Sequence, residues 1–418
     1  MKVLVISAAF PPMQAGEATN AYHLCQRLAE RGLDVHVLTS SIGRIGALDP
    51  RITVHPIMKR WSWAEAPRLS RFLKACAPDA VYLMYLGWTY DFQFMSTFIP
   101  TIAKRVLPVV PFVTRFENIG GAGPRANSFS SRIIRKALAS FDRDGHVDYQ
   151  FGTLLRDSDA IVLLSGRHQA TLEGCLPNVG RKCVLIPPPA NMCMSMAGPA
   201  TRERGRRALA VKADHCLLAY VGFVYPGKGI EHLLHALRHL ARERTNVRLA
   251  IIGGSLAREF PDQPNYVERM QALAVELGVD DKVMWTGEYR ADDDLASAYL
   301  RAADVCVLPF ATGVKLNNSS FSSAAAHGLP IVTTSDAALE PQFVHGENVC
   351  LCSPESPEAL AEAIRRVMDD QVLRGRLAEG ALRLARDWYS WESAMDRTLA
   401  LFRVPGPGIS RAVPQSVN

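Results

Sequence analysis

Short runs of consecutive apolar residues alternate with stretches of helical periodicity along most of the chain. "KVLVIS" (Lys2–Ser7) predicts a first buried strand, and the Pro/Gly loop "FPPMQAGEATN" follows it. "NAYHLCQRLAERG" then places Leu24 and Leu28 at helical spacing before a stop at Gly32. "DVHVLTS", "AVYLMYL" (Ala80–Leu86), "PVVPFVT" (Pro108–Thr114) and "DAIVLLS" (Asp159–Ser165) predict further strands, with helical segments between them. Strands that are apolar on both faces and joined by helices point to a parallel sheet covered on both sides.

The pattern breaks between Pro187 and about Asp214, where "PPPANMCMSMAGPATRERGRR" is rich in Pro, Ala and Arg. It restarts with "CLLAYVGFVYPGKGIEHLLHALRHL" and continues through "VRLAIIGG", "KVMWTG", "DVCVLPF", "LPIVTT" and "NVCLC". The reading is an α/β chain of two doubly wound, Rossmann-like halves. The expected division is 1–190 for the first domain, 191–214 for a linker with a short basic helix, and 215–386 for the second domain. A C-terminal helix over 387–403 and a disordered tail over 404–418 complete it. Two such halves imply a central cleft, with ligands at the carboxyl ends of the strands that face it.

Composition narrows the function classes. The chain is 48% hydrophobic and 21% charged, as expected of ordinary folded domains. A net charge of +6 and a pI near 8.8 suit anionic small molecules or an anionic membrane surface and fall short of a nucleic-acid-binding arm. Nine cysteines without a CxxC pair read as reduced thiols, which points to the cytoplasm. "MKVLVISAAFPP" is interrupted by Pro11 and Pro12, so it reads as a strand rather than a signal peptide. No apolar run approaches the roughly 20 residues of a membrane helix.

Three loops carry candidate chemistry. Gly16 and Glu17 follow the first strand and open a helix, where a glycine permits close approach and the helix N-terminus faces an anion. In "YVGFVYPGKGI", glycines 222, 227 and 229 surround Lys228 between a strand and a helix, a placement suited to a phosphate; the Walker spacing is absent. In "GVKLNNSSFSSAAAHGLPIVTT", Asn318, Ser319 or Ser320 would cap a helix whose free N–H groups form a second anion seat. Two other patterns have plainer explanations. Asp292–Asp294 precedes an amphipathic helix and reads as capping, and His232, His235 and His239 share a solvated helix face rather than a metal site. A serine-hydrolase elbow is missing.

Taken together, "ISAAFPPMQAGEATNAYHLCQRLAERGLDVHVLTS", "YVGFVYPGKGIEHLLHAL", "VRLAIIGG", "VMWTGEYRADDDLASAYLRAADVCVLPF" and "AAAHGLPIVTT" resemble the family-four glycosyltransferases of the GT-B fold. The match is strong over the first forty residues and the C-terminal half. The resemblance implies an N-terminal acceptor domain, a C-terminal domain that binds a nucleotide diphosphate-sugar, and a last helix that returns to the first domain. It implies retention of anomeric configuration and no metal or other cofactor, with Lys228 and the Ser319/Ser320 helix start taking the diphosphate charge. Glu288 and Tyr289, after "TG", would border the base.

Three positions depart from that family's pattern. Phe223 stands where an arginine is usual, and "TRFEN", with Arg115 and Glu117, replaces a histidine motif. Counting back from Gly328, the family's paired glutamates fall on Ser323 and Lys315. Lys315 is therefore expected to stabilise the departing diphosphate, with Ser319, Ser320 and Ser323 supplying hydrogen bonds. A uronic-acid donor paired with Lys315 is a bolder variant. Glu117 is the acceptor-side candidate, with Arg115 beside it as an alternative ion-pair partner. The expected reaction is sugar transfer to a glycan or glycolipid hydroxyl in cell-surface polysaccharide or glycoconjugate synthesis. Competing readings are a degenerate domain that binds without catalysis, and another GT-B chemistry such as an epimerase or phosphorylase. The basic segment "SSRIIRKALASFDR" would allow peripheral contact with an anionic membrane at its cytoplasmic face, against the plainer reading of a solvated helix.

Overall fold

The computed structural model describes residues 1–13, 15–40, 49–119, 150–255, 265–290 and 293–403. The basic segment 130–143, Asp292 and the tail 404–418 lie outside the described residues. The chain divides into two compact units. The first comprises Met1–Pro12, Leu24–Ile186 and Met395–Asn418; the second comprises Met13–His23 and Pro187–Ala394.

The first unit holds a seven-stranded sheet in the order β3-β2-β1-β4-β5-β6-β7. Its strands are β1 (Lys2–Ile6), β2 (Asp34–Ser40), β3 (Ile52–Met58), β4 (Ala80–Tyr85), β5 (Phe112–Phe116), β6 (Ala160–Leu163) and β7 (Cys183–Leu185). Every pairing is parallel. β4 and β5 are buried along their whole length, as helices on both faces of a parallel sheet require. β3 is absent from the apolar pattern because Pro56 interrupts it. The strand is tolerated because it lies at the sheet edge, where the register shifts between Leu38 and Ser40 of β2. "PVVPFVT" begins its strand four residues later than its apolar run, at Phe112, and the strand carries on through Arg115 to Phe116.

The second unit holds a six-stranded parallel sheet, β10-β9-β8-β11-β12-β13. These strands are β8 (Cys216–Val221), β9 (Val247–Ile252), β10 (Val283–Gly287), β11 (Val305–Leu308), β12 (Ile331–Thr334) and β13 (Cys350–Cys352). In both sheets the order reverses beside the first strand, at β1/β4 and β8/β11. Helix Ile230–Glu243 shows why the segments fold as they do. Leu233, Leu234, Leu237 and Leu240 are fully buried on one face, each worth roughly 1.5–3 kcal/mol. His232, His235 and His239 occupy its half-buried outer face.

The basic helix Pro199–Ala208 packs on the helix Leu295–Ala302 of the same unit. Its arginines turn inward: Arg202 donates to the carbonyls of Arg301 (3.2 Å) and Ala303 (3.0 Å), and Arg206 to that of Ala302 (3.1 Å). They thereby satisfy the carbonyls left open at a helix C-terminus.

Candidate functional site

The second sheet reverses its strand order between β8 and β11, and the loops leaving both strands at that point are tied together. The Ala311 N–H donates to the Gly227 carbonyl at 3.1 Å. At Gly229, with φ +73°, a Cβ would stand 1.9 Å from the Pro309 carbonyl oxygen, so only glycine lets the two loops meet. The Lys228 ammonium lies 5.0 Å from the ring centroids of both Tyr225 and Phe310. Among the described residues it has no carboxylate partner. Crevices outside the carboxyl ends of strands at such a reversal are where open α/β sheets bind ligands.

The loop after β11 leads into the helix Ser319–Ala326. Asn318 takes the N-cap position, but its Oδ1 accepts from the Lys315 N–H at 2.7 Å, and the Asn318 N–H returns to the Lys315 carbonyl at 3.0 Å. The buried Glu340 carboxylate accepts from the Leu316 N–H at 2.6 Å and fixes the loop from below. Lys315 Nζ donates to Thr312 Oγ1 at 3.2 Å and also lacks a carboxylate partner among the described residues. The helix start touches the end of β8: at Gly222, with φ +125°, a Cβ would be 2.3 Å from Ser320 Oγ. The first N–H groups of the helix, at Ser319 and Ser320, point out of its N-terminus by helix geometry.

Other expected residues collect in the same unit. Phe223 Cε2 lies 3.8 Å from where a Gly16 Cβ would be, and Asn191 Nδ2 donates to the Gly16 carbonyl at 3.0 Å. Glu17, half-buried, follows on the helix Gly16–Glu30. Glu288 and Tyr289 leave the end of β10; a Cβ on Gly254 would be 2.4 Å from Glu288 Cγ. Partial desolvation raises the Glu288 carboxyl, and burial pushes the Tyr289 hydroxyl up to about 12.

Two residues without a role in the sequence reading join this set. Asn191 N–H donates to Ser323 Oγ at 3.4 Å, so the serine at the expected carboxylate position is engaged within the unit. His327 is buried, with Nδ1 2.6 Å from the Ser323 carbonyl and Nε2 2.6 Å from Ser297 Oγ. The carbonyl can only accept, so Nδ1 carries the proton and Nε2 accepts from Ser297. Ser297 Oγ in turn accepts from the Ser195 N–H at 2.9 Å. Burial lowers the His327 pKa to about 4, against the pull of the Ser323 carbonyl.

In the first unit, Arg115 of β5 and Glu117 just after it form a buried pair, Nε to Oε1 at 2.8 Å. Burial raises the Glu117 carboxyl despite Arg115. The geometry thus realises the alternative in which the two residues hold each other. Asp293 Oδ1 accepts from the Leu295 N–H at 2.8 Å, as capping requires. His239 lies 3.8 Å from Glu358, and among the described residues no three His, Cys, Asp or Glu side chains gather in a metal-binding group.

Residues 215–370, which span this crevice, match the family model described as glycosyl transferases group 1. This segment belongs to the group 1 glycosyl transferases. Relatives of the chain include a D-inositol 3-phosphate glycosyltransferase from Corynebacterium efficiens, 30% identical over 52% of this chain and 50% of its own. Another D-inositol 3-phosphate glycosyltransferase, from Acidothermus cellulolyticus, is 29% identical over 91% of this chain and 83% of its own. The chain spans about half the length of the first curated relatives it matches. Among solved structures, the sucrose-phosphate synthase of Thermosynechococcus elongatus superposes with a TM-score of 0.69 at 19% identity, covering 96% of this chain and 98% of that one. Anabaena HepE in complex with UDP-glucose gives 0.66 at 18% identity, covering 96% and 99%. The fold of the chain is therefore GT-B.

Proposed function

We propose that this protein transfers a sugar from a nucleotide diphosphate-sugar to a hydroxyl of a glycan or lipid-linked glycan, with retention of anomeric configuration. The observation that carries the proposal is the pair Lys228 and Lys315 on the two loops of the β8/β11 reversal, both without a carboxylate partner among the described residues. Uncompensated cations beside a helix N-terminus make an anion site. As the bond between the anomeric carbon and the diphosphate breaks, negative charge grows on the departing diphosphate. The two ammonium groups and the first N–H groups of helix Ser319–Ala326 are arranged to stabilise it. These protein cations are the reason to propose that no metal is required. The UDP-glucose complex of HepE supports a nucleotide-sugar donor, and the names of the curated relatives support a glycosyl transfer.

Glu288 and Tyr289 are proposed to border the base, Gly16, Gly222 and Phe223 to line the donor, and Glu17 to face the acceptor. Arg115 and Glu117 are proposed on the acceptor side. The cysteines are free, which supports a reducing, cytoplasmic setting for cell-surface glycoconjugate synthesis. One observation favours a binding-only reading: Ser323 and Lys315 stand where the resembled family has carboxylates, and Ser323 Oγ is engaged by Asn191. A panel of uridine, guanosine and adenosine diphosphate-sugars, assayed with and without EDTA for nucleoside diphosphate release, separates the readings. The proposed function expects release from at least one donor, unaffected by EDTA. Binding without release supports the binding-only reading, and EDTA-sensitive release contradicts the metal-free one.

A further inference from the structure

A face of the first unit combines an exposed aromatic side chain with exposed cations. Between Ile52 and Pro78 the sequence holds five lysines and arginines and one acid, Glu65. That acid is turned inward. Its carboxylate accepts from the N–H groups of Lys59 (3.0 Å), Arg60 (2.7 Å) and Trp61 (2.8 Å) and pairs with Arg68 at 2.5 Å. The loop wound around Glu65 has two results. It buries Trp61, which donates to Ser40 Oγ at 2.9 Å, and it leaves Lys59 and Arg60 in solvent.

The next turn, Trp63–Glu65, projects Trp63 outward with 51% of its surface exposed. Its ring leans on Phe98 at 5.3 Å, and Phe98 on Phe94 at 5.2 Å, so the three form an aromatic ridge. The helix Ala66–Cys76 that follows carries Arg71 and Lys74 on its exposed side, three residues apart on one helical face. An indole at the surface of a folded domain is costly to leave in water, and it is favoured at a membrane interface, where the ring is apolar and the N–H stays wet. Basic side chains around it add attraction to anionic headgroups, and the arrangement matches an interfacial contact.

We infer that the face formed by Trp63, the Glu65-bound loop and the helix Ala66–Cys76 docks on an anionic lipid bilayer. Trp63 enters the headgroup layer, and Lys59, Arg60, Arg71 and Lys74 meet the headgroups. This contact is independent of the segment 130–143 and of sugar transfer.

The test is co-sedimentation of the full chain with vesicles of phosphatidylcholine alone or mixed with phosphatidylglycerol, at low and raised salt. The expected result is binding to the anionic vesicles only, weakened by salt. Two variants, Trp63→Ser and the double charge reversal Arg71→Glu with Lys74→Glu, should each weaken the partition roughly tenfold or more. Both change exposed positions, and an unchanged thermal midpoint confirms that each is folded. Quenching of tryptophan fluorescence by brominated lipid should fall in Trp63→Ser. Equal binding to both vesicle types, no binding, or wild-type partition of the two folded variants would overturn the inference. So would retention of an RNA oligonucleotide together with indifference to lipid.

Discussion

At the scale of single residues, the two lysines of the β8/β11 crevice are the groups with chemistry to test. Lys315 stands where the resembled family has a carboxylate, and Thr312 and Asn318 fix its place. If it stabilises the leaving diphosphate, Lys315→Ala should lower turnover by roughly 10²-fold or more, the scale seen when one transition-state donor is removed. Turnover equal to wild type would remove it from the mechanism. His327 makes a different prediction. Its folded pKa, about 4, lies below the ordinary value of 6.5, so between these limits the unfolded chain binds the extra proton. The stability it contributes is full above pH 6.5 and is lost as pH falls toward 4, by about 3 kcal/mol. Urea denaturation at pH 7.5 and pH 5 should show about 2 kcal/mol of this loss in wild type and a smaller one in His327→Gln. Lys228 and the Gly222–Gly229 turn were legible in the sequence because their chemistry is local. Asn191 and His327 were not. Asn191 meets Ser323 across 132 residues of chain, and no local pattern marks such a pairing.

At the scale of elements, strands were legible where burial on both sides produces unbroken apolar runs, as in β4 and β5. β3 escaped because Pro56 breaks its pattern, and only its position at the sheet edge makes the proline compatible with pairing. The helix Pro199–Ala208 was legible as basic, but the inward use of its arginines depends on carbonyls about 100 residues later in the chain. Its packing turns on Gly205, where a Cβ would stand 2.1 Å from the Ala298 carbonyl oxygen. Gly205→Ala should therefore separate the two helices and cost roughly 1–3 kcal/mol, even though alanine is the better helix former. A denaturant midpoint at or above wild type would show that the helices tolerate the methyl group. The same contrast governs the membrane-docking face. The basic residues were visible in the sequence, but the burial of Glu65 and the exposure of Trp63 were not.

At the scale of the whole molecule, the duplicated strand–helix pattern was sufficient to foresee two parallel sheets, and both reverse order beside their first strand. The sugar, base and acceptor were not legible, because their selection depends on side chains brought together from several loops. Ligands that bind only the folded chain raise its stability by RT ln(1 + [L]/Kd), so nucleoside diphosphates screened by thermal shift should single out one base. Calorimetric titration of that nucleoside diphosphate into wild type and Lys228→Ala is the most direct measurement of the central claim, that the β8/β11 crevice holds the donor diphosphate. The account predicts saturable binding to wild type and at least about tenfold weaker binding to the variant, equivalent to about 1.4 kcal/mol. Equal affinity in the two proteins, or no binding of any nucleoside diphosphate to wild type, would contradict it.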